Sequence, residues 1–179
     1  MTLSEIGRVM DLLRTNYPQS FKSYEGNQME ILISLWEKAF RNVPAVWVEA
    51  AVLHFINEDP TPYAPVIGQI TAYIKSQVSS LSADNEWDFI VYLVRDVDEG
   101  YYNKLMSHEI TCKLVSPADI RAYKEDNRRM EMDRSRFIRR YNEEKERLER
   151  EAFRTGNFSL IASSEHLQKL GVKKTLELE

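Results

Sequence analysis

Residues 44–59, "PAVWVEAAVLHFINED", and residues 63–70, "YAPVIGQI", decide the fold class. The first stretch is apolar almost all round, with Glu49, His54 and Asn57 as its polar interior positions. A helix of that pattern is buried by neighbours on several sides, so it is expected at the centre of a small bundle. Pro44 suits its first turn, where a missing N–H costs nothing. Pro60 stops it and Pro62 keeps the connection extended. Pro65 is expected in the first turn of the next helix, where Ile67, Ile70 and Ile74 recur at helical spacing. Tyr63, just ahead of that start, is placed to pack as a hydrophobic staple. The prolines read as a rigid corner between two packed helices.

Helical spacing extends outward from this corner in both directions, and strand-type alternation is nearly absent. Ser4 is expected to cap a first helix with Ile6, Val9, Met10 and Leu13 on one face. Pro18 ends it by disfavouring helix at Tyr17. Asn27 is the expected cap of a second helix with Leu32, Ile33, Trp36 and Phe40 along its stripe. The serine-rich "QVSSLSADNE" (77–86) reads as a linker over 79–85, after which Asp84 caps a helix carrying Trp87, Ile90, Val91 and Val94. "DVDEG" (96–100) breaks that helix. Ser116–Pro117 marks a restart, followed by a long helical run to about residue 154 with a break near Asn127. Met130, Phe137, Tyr141 and Leu148 recur along it as a heptad-like seam. Beyond Gly156 a loose tail is expected, with one short helix capped by Ser164 and stopped at Gly171. The expected fold is all-α. A four-helix bundle-like domain spans 1–78, a linker 79–85, a second helical region 86–155 and a loosely ordered tail 156–179.

Composition narrows the chemistry. The formal net charge of −4 argues against a chain that coats nucleic acid over its whole surface. One cysteine, Cys112, makes no internal disulfide and fits a reducing cytoplasmic setting. No stretch approaches the roughly 20 apolar residues of a membrane helix. No glycine is followed by Lys and Ser/Thr, so a phosphate-binding P-loop is excluded, and the dinucleotide-binding glycine pattern is absent. "DVDEG" lacks the later ligands of a calcium loop. "HEITC" (108–112) has no second His/Cys pair at zinc spacing and reads as a polar turn with a half-buried thiol. His54, without a nucleophile or carboxylate constellation, reads as a satisfied core histidine rather than a base. The carboxylates of "NEEKERLEREAF" alternate with Lys and Arg as a solvated helix face. A protein without enzymatic activity, cofactor or metal is expected.

One charged feature stands out. Six arginines lie between residues 128 and 140, against only Glu131 and Asp133. Arg129, Arg136 and Arg140 fall on one helical face. Such a run is either a solvated face paired with nearby acids or a docking face for an acidic protein partner or a DNA backbone. Guanidinium groups favour specific contact because they form bidentate pairs.

The stretches "LISLWEKAFRNVPAVWVEAAVLHFINED" and "YAPVIGQITAYI" together resemble the N-terminal helical domain of bacteriophage replicative helicase loader/inhibitor proteins. The resemblance is carried by a Trp-containing helix, an Ala/Val-rich helix and the proline corner. Its hallmark positions are Trp36, Trp47, Tyr63, Pro65, Ile67 and Ile70, which it implies are scaffold residues. "SEIGRVMDLLRTNYPQSF" is similar to the family's first helix. The likeness covers residues 3–78 and, more loosely, 84–152. It implies a non-enzymatic protein of the bacterial cytoplasm that binds a DnaB-type replicative helicase hexamer, holds it inactive and delivers it to a phage origin. An origin-binding initiator protein is then a second partner, and the arginine run leaves a weak DNA contact open. The residues expected to meet the partner are Arg129, Arg136, Arg139, Arg140 and Tyr141, since Arg–aromatic pairs are typical of interface hot spots. Two other readings stay open: a DNA-binding replication accessory using the same arginines, and a structural adaptor that oligomerises through the Met130–Leu148 seam.

Overall fold

The computed structural model describes residues 1–170 apart from 25, 60 and 96–99. Pro60, most of the "DVDEG" break and Gly171 therefore lie outside the described residues. The protein is all-helical, with no strand among the described residues. The helices run α1 (Leu3–Asn16), α2 (Pro18–Phe21), α3 (Asn27–Phe40), α4 (Ala45–Glu58), α5 (Ile67–Val78), α6 (Ala83–Arg95), α7 (Tyr101–Met106), α8 (Thr111–Leu114), α9 (Pro117–Glu125), α10 (Asn127–Thr155) and α11 (Ser164–Lys169). They form two compact units. One comprises Met1–Ser80 with the chain from Glu151 onward, the other Leu81–Arg150. The first boundary, between Ser80 and Leu81, falls inside the expected linker at 79–85, whose last three residues are the first turn of α6. The second boundary falls inside α10 rather than after it.

In the first unit α1 packs on α3 and α4, and α4 packs on α5. Ile6, Val9, Leu13, Phe40, Val48, Val52 and Ile70 are fully buried, each worth about 1.5–3 kcal/mol in transfer free energy. Trp36 and Trp47 join them, Trp36 with its ring 5.3 Å from Phe40. α4 has neighbours in α1, α5 and the Phe158 ring, but it is not buried all round as its composition suggested. It buries Trp47, Val48, Ala51 and Val52 on one face and leaves Val46 and Leu53 about half exposed on the other. An apolar sequence limits where a helix can sit but does not count its neighbours, and single exposed aliphatics are tolerated at protein surfaces.

The proline corner is built one step differently from expectation. α5 starts at Ile67, so Pro65 lies ahead of the cap residue Val66 rather than in the first turn. The Gln69 side chain accepts from the Val66 N–H at 2.9 Å. Pro65 is itself buried in the position a staple residue takes. Tyr63, displaced from that role, is 71% exposed. Ser20 on α2 accepts from the Ala64 N–H at 2.9 Å and ties the corner to the unit.

Caps shift by a residue or two elsewhere. α1 is capped by Thr2 in a reciprocal box with Glu5, not by Ser4. Asn27 is the first residue of α3, and Gly26 at φ 48° makes the entry. At α6, Ser82 rather than Asp84 accepts from the helix N-terminus, through Asn85 N–H. At α11, Ser163 rather than Ser164 accepts from His166 N–H. α9 begins as read, with a Ser116–Asp119 capping box and Pro117 in the first turn. The break near Asn127 also stands: α9 ends at Glu125 and α10 starts at Asn127.

The expected loose tail instead packs as part of the first unit over residues 156–170. Phe158 meets Trp47 edge-on at 4.7 Å. The Trp47 indole N–H donates to the Leu170 carbonyl at 3.0 Å. Ser80 N–H donates to Ile161 O at 2.9 Å, and the His166 Nε2 lies 2.8 Å from Gln77 O. Aromatic anchoring of this kind does not show as periodicity in a short segment. The turn into it is made by Gly156, in the left-handed region at φ 78°, whose N–H closes on Ala152 O at 2.8 Å.

In the second unit Trp87 of α6 lies 6.4 Å from Tyr123 and 5.3 Å from Phe137. The seam residues Met130, Phe137, Tyr141 and Leu148 are all buried within the chain. This removes the reading in which the seam pairs between copies, because the surface it needs is already covered.

Gly156→Ala should destabilise the protein by about 1–2 kcal/mol, the usual cost of a left-handed non-glycine residue. An added Cβ would also meet Asn42 O at 3.2 Å. Urea unfolding of the two proteins measures the difference. An unchanged midpoint would contradict the turn as described.

Candidate functional site

α10 opens on the Asp126 carboxylate, which accepts from the backbone N–H groups of Arg128 and Arg129. That fixes the helix start. The spacing of seven and then four residues from Arg129 to Arg136 to Arg140 places all three on one face. All three arginines are among the residues lining a cavity of about 200 Å³ within the second unit. Leu114, Val115 and Phe137 supply its apolar wall, and Asp119, Tyr123 and Asp133 its polar groups. Arg129 lies 3.7 Å from Asp119. The Tyr123 hydroxyl donates to Asp133 at 3.1 Å. Arg136 and Arg140 are exposed and make no ion pair or side-chain hydrogen bond among the described residues.

The remaining members of the expected partner face are placed elsewhere. Arg139 is exposed but does not line the cavity. Tyr141 is only 1% exposed and stacks at a tilt against Phe137, 5.7 Å away. It is a core residue and cannot be a surface contact. Its position four residues after Phe137 puts it on the buried side of the helix. Arg134, a further member of the run, is held by Asp84 at 2.8 Å. The arginine run is thus divided: Arg129 and Arg134 are paired within the unit, while Arg128, Arg136, Arg139 and Arg140 are open.

Titration around the cavity follows from its contacts. The Ser116 hydroxyl, donating at 2.6 Å, holds the Asp119 carboxyl below the usual carboxylate range, and the Ser116 N–H and Arg129 add to this against the opposing effect of burial. Burial pushes the Tyr123 phenol up, and its bond to Asp133 pushes it further. Burial, with a smaller contribution from Glu86, raises Tyr141.

A second polar cluster had no signal in the sequence. Glu86 on α6 accepts from the buried Thr111 hydroxyl and lies 2.8 Å from His108 Nδ1. His108 stacks on Phe89 with ring centroids 3.8 Å apart. These contacts pin the segment ahead of α8 onto α6. "HEITC" is therefore a structural turn, with Cys112 half-buried and its thiol directed to Glu109 O. His54 is half-buried and stacked on Tyr73 at 4.2 Å. No group of three or more metal-competent side chains occurs among the described residues. Nor, among them, is any helix long and apolar enough to cross a membrane.

Of the hallmark residues, Trp36, Pro65 and Ile67 line an apolar groove of about 370 Å³ in the first unit, together with Phe21 and Leu32. Ile31 and Leu35 stand about half exposed on the same helix as Leu32. Trp47 and Ile70 are core residues.

Comparison with protein-family models, with curated proteins and with solved structures gave no match.

Asp119→Asn should lower stability at neutral pH by about 0.5 kcal/mol, a partial loss of a capping box on a solvent-screened helix end. Because the folded carboxyl titrates below its unfolded value of about 3.9, the contribution is complete above that value. It disappears as pH falls through the folded value. Denaturant unfolding of both proteins at neutral and strongly acidic pH should show the gap closing in acid. A gap independent of pH would contradict the assignment.

Proposed function

We propose that this chain is a non-enzymatic DNA-replication protein that binds a hexameric DnaB-type replicative helicase, holds it inactive and delivers it to an origin. The reading is motivated by the resemblance at Trp36, Trp47 and the proline corner. The observation that carries it is the set of open guanidiniums on α10: Arg136, Arg139 and Arg140 project from a helix whose other side is packed. Open arginines on a rigid helix suit a protein interface. The loader would act through a binding equilibrium, stabilising a helicase conformation that does not translocate until an origin-bound partner releases it. Any ATP chemistry would belong to the helicase.

The purified protein should co-elute with the hexameric helicase of its own replication system in the presence of a non-hydrolysable ATP analogue and should suppress unwinding. Replacing Arg136, Arg139 and Arg140 together by glutamate should weaken the complex by at least about tenfold, the loss of one or two charge-assisted contacts. Absence of a complex, with unwinding untouched, would refute the reading.

A further inference from the structure

We infer that the cavity lined by Arg136 and Arg140 is a receptor for a single carboxylate, that of an acidic side chain presented by a protein partner. The inference rests on the reading of α10 as a partner-binding face, but not on which partner binds.

Size decides first. Small-molecule sites are typically ~300–1,000 Å³, and this cavity is about 200 Å³. It cannot enclose a nucleotide or other cofactor, but it is large enough for the end of one side chain. Charge decides next. Three arginines face two aspartates, and the aspartates already have partners: Asp119 has Ser116 and Arg129, Asp133 has the Tyr123 hydroxyl. The surplus is one positive charge, carried by the pair without partners. One carboxylate balances it, with Arg136 and Arg140 offering the fork geometry that carboxylates accept in bidentate fashion.

The same features disfavour a nucleic acid. A phosphate backbone needs a continuous basic track. Here Asp119 and Asp133 interrupt it, and Arg134 is held by Asp84. Leu114, Val115 and Phe137 contribute a smaller apolar strip beside the polar groups, against which the methylene portion of an acidic side chain can lie.

Benzoate is a minimal probe, having a carboxylate on an apolar body, and benzamide is its neutral counterpart. The side-chain N–H resonances of the arginines in the isotope-labelled full chain report binding directly. Benzoate should shift those of Arg136 and Arg140 saturably, and benzamide should bind at least about tenfold more weakly. In Arg136→Gln and Arg140→Gln proteins, both changed at exposed positions, benzoate affinity should fall by a similar factor. No saturation by benzoate, or equal binding of benzamide, would overturn the proposal. So would inorganic phosphate, or a short single-stranded oligonucleotide, displacing benzoate at lower concentration than a second carboxylate does, since the site would then read phosphate. None of these arms contains helicase, so failure of the loader reading would appear only in the co-elution and would leave this result standing.

Discussion

Phe137 of α10 lies 5.3 Å from Trp87 of α6, and this aromatic contact between helices fixes how α10 is turned about its own axis. Truncating a buried aromatic costs about 3–5 kcal/mol, whereas an exposed ion pair contributes about 0–1 kcal/mol. The rotation of the helix is therefore set by its aromatic edge. Its arginines take the positions left over. With Met130, Phe137 and Tyr141 turned inward, the helical period puts Arg129, Arg136 and Arg140 along the edge of a cavity walled by α9 residues and by Leu114 and Val115. The open arginine face is a consequence of core packing in the second unit.

The helices were legible because their signal is local. Apolar residues at helical spacing identified α1, α3, α4, α5, α6 and the long run that becomes α9 and α10. Ser116–Pro117 gave the start of α9 because cap and proline act together at one point. Caps were missed wherever two competent residues lie close: Thr2 took the role from Ser4, Ser82 from Asp84 and Ser163 from Ser164. Choosing between them depends on how the chain approaches the helix, which is a tertiary matter. Tyr63 was misplaced for a related reason. Its neighbour Pro65 is the residue that becomes buried, and an aromatic ring two positions away is then free to face solvent.

The site was half legible. One face of one helix can be read from spacing, so Arg129, Arg136 and Arg140 were grouped correctly. Tyr141 was assigned both to the seam and to the partner face, which point in opposite directions on the helix, and the structure keeps only the seam. Asp119, Tyr123 and Asp133 were invisible as cavity residues. Asp119 and Tyr123 come from the preceding helix, and only folding brings them to the arginines. The Glu86–His108–Thr111 cluster was hidden for the same reason, since 22 residues separate the first two.

All of this depends on the aromatic edge of α10 being covered within the chain while its arginines remain open. Tyrosine nitration of the native protein, mapped residue by residue by mass spectrometry, tests that directly. Tyr63, Tyr24 and Tyr92 should react readily, being exposed. Tyr141 and Tyr123 should resist until the protein is unfolded, both from burial and from their raised phenol pKa values. Nitration of Tyr141 in the native protein at the rate of Tyr63 would mean that α10 is turned the other way, and the arginine face would lose its structural basis.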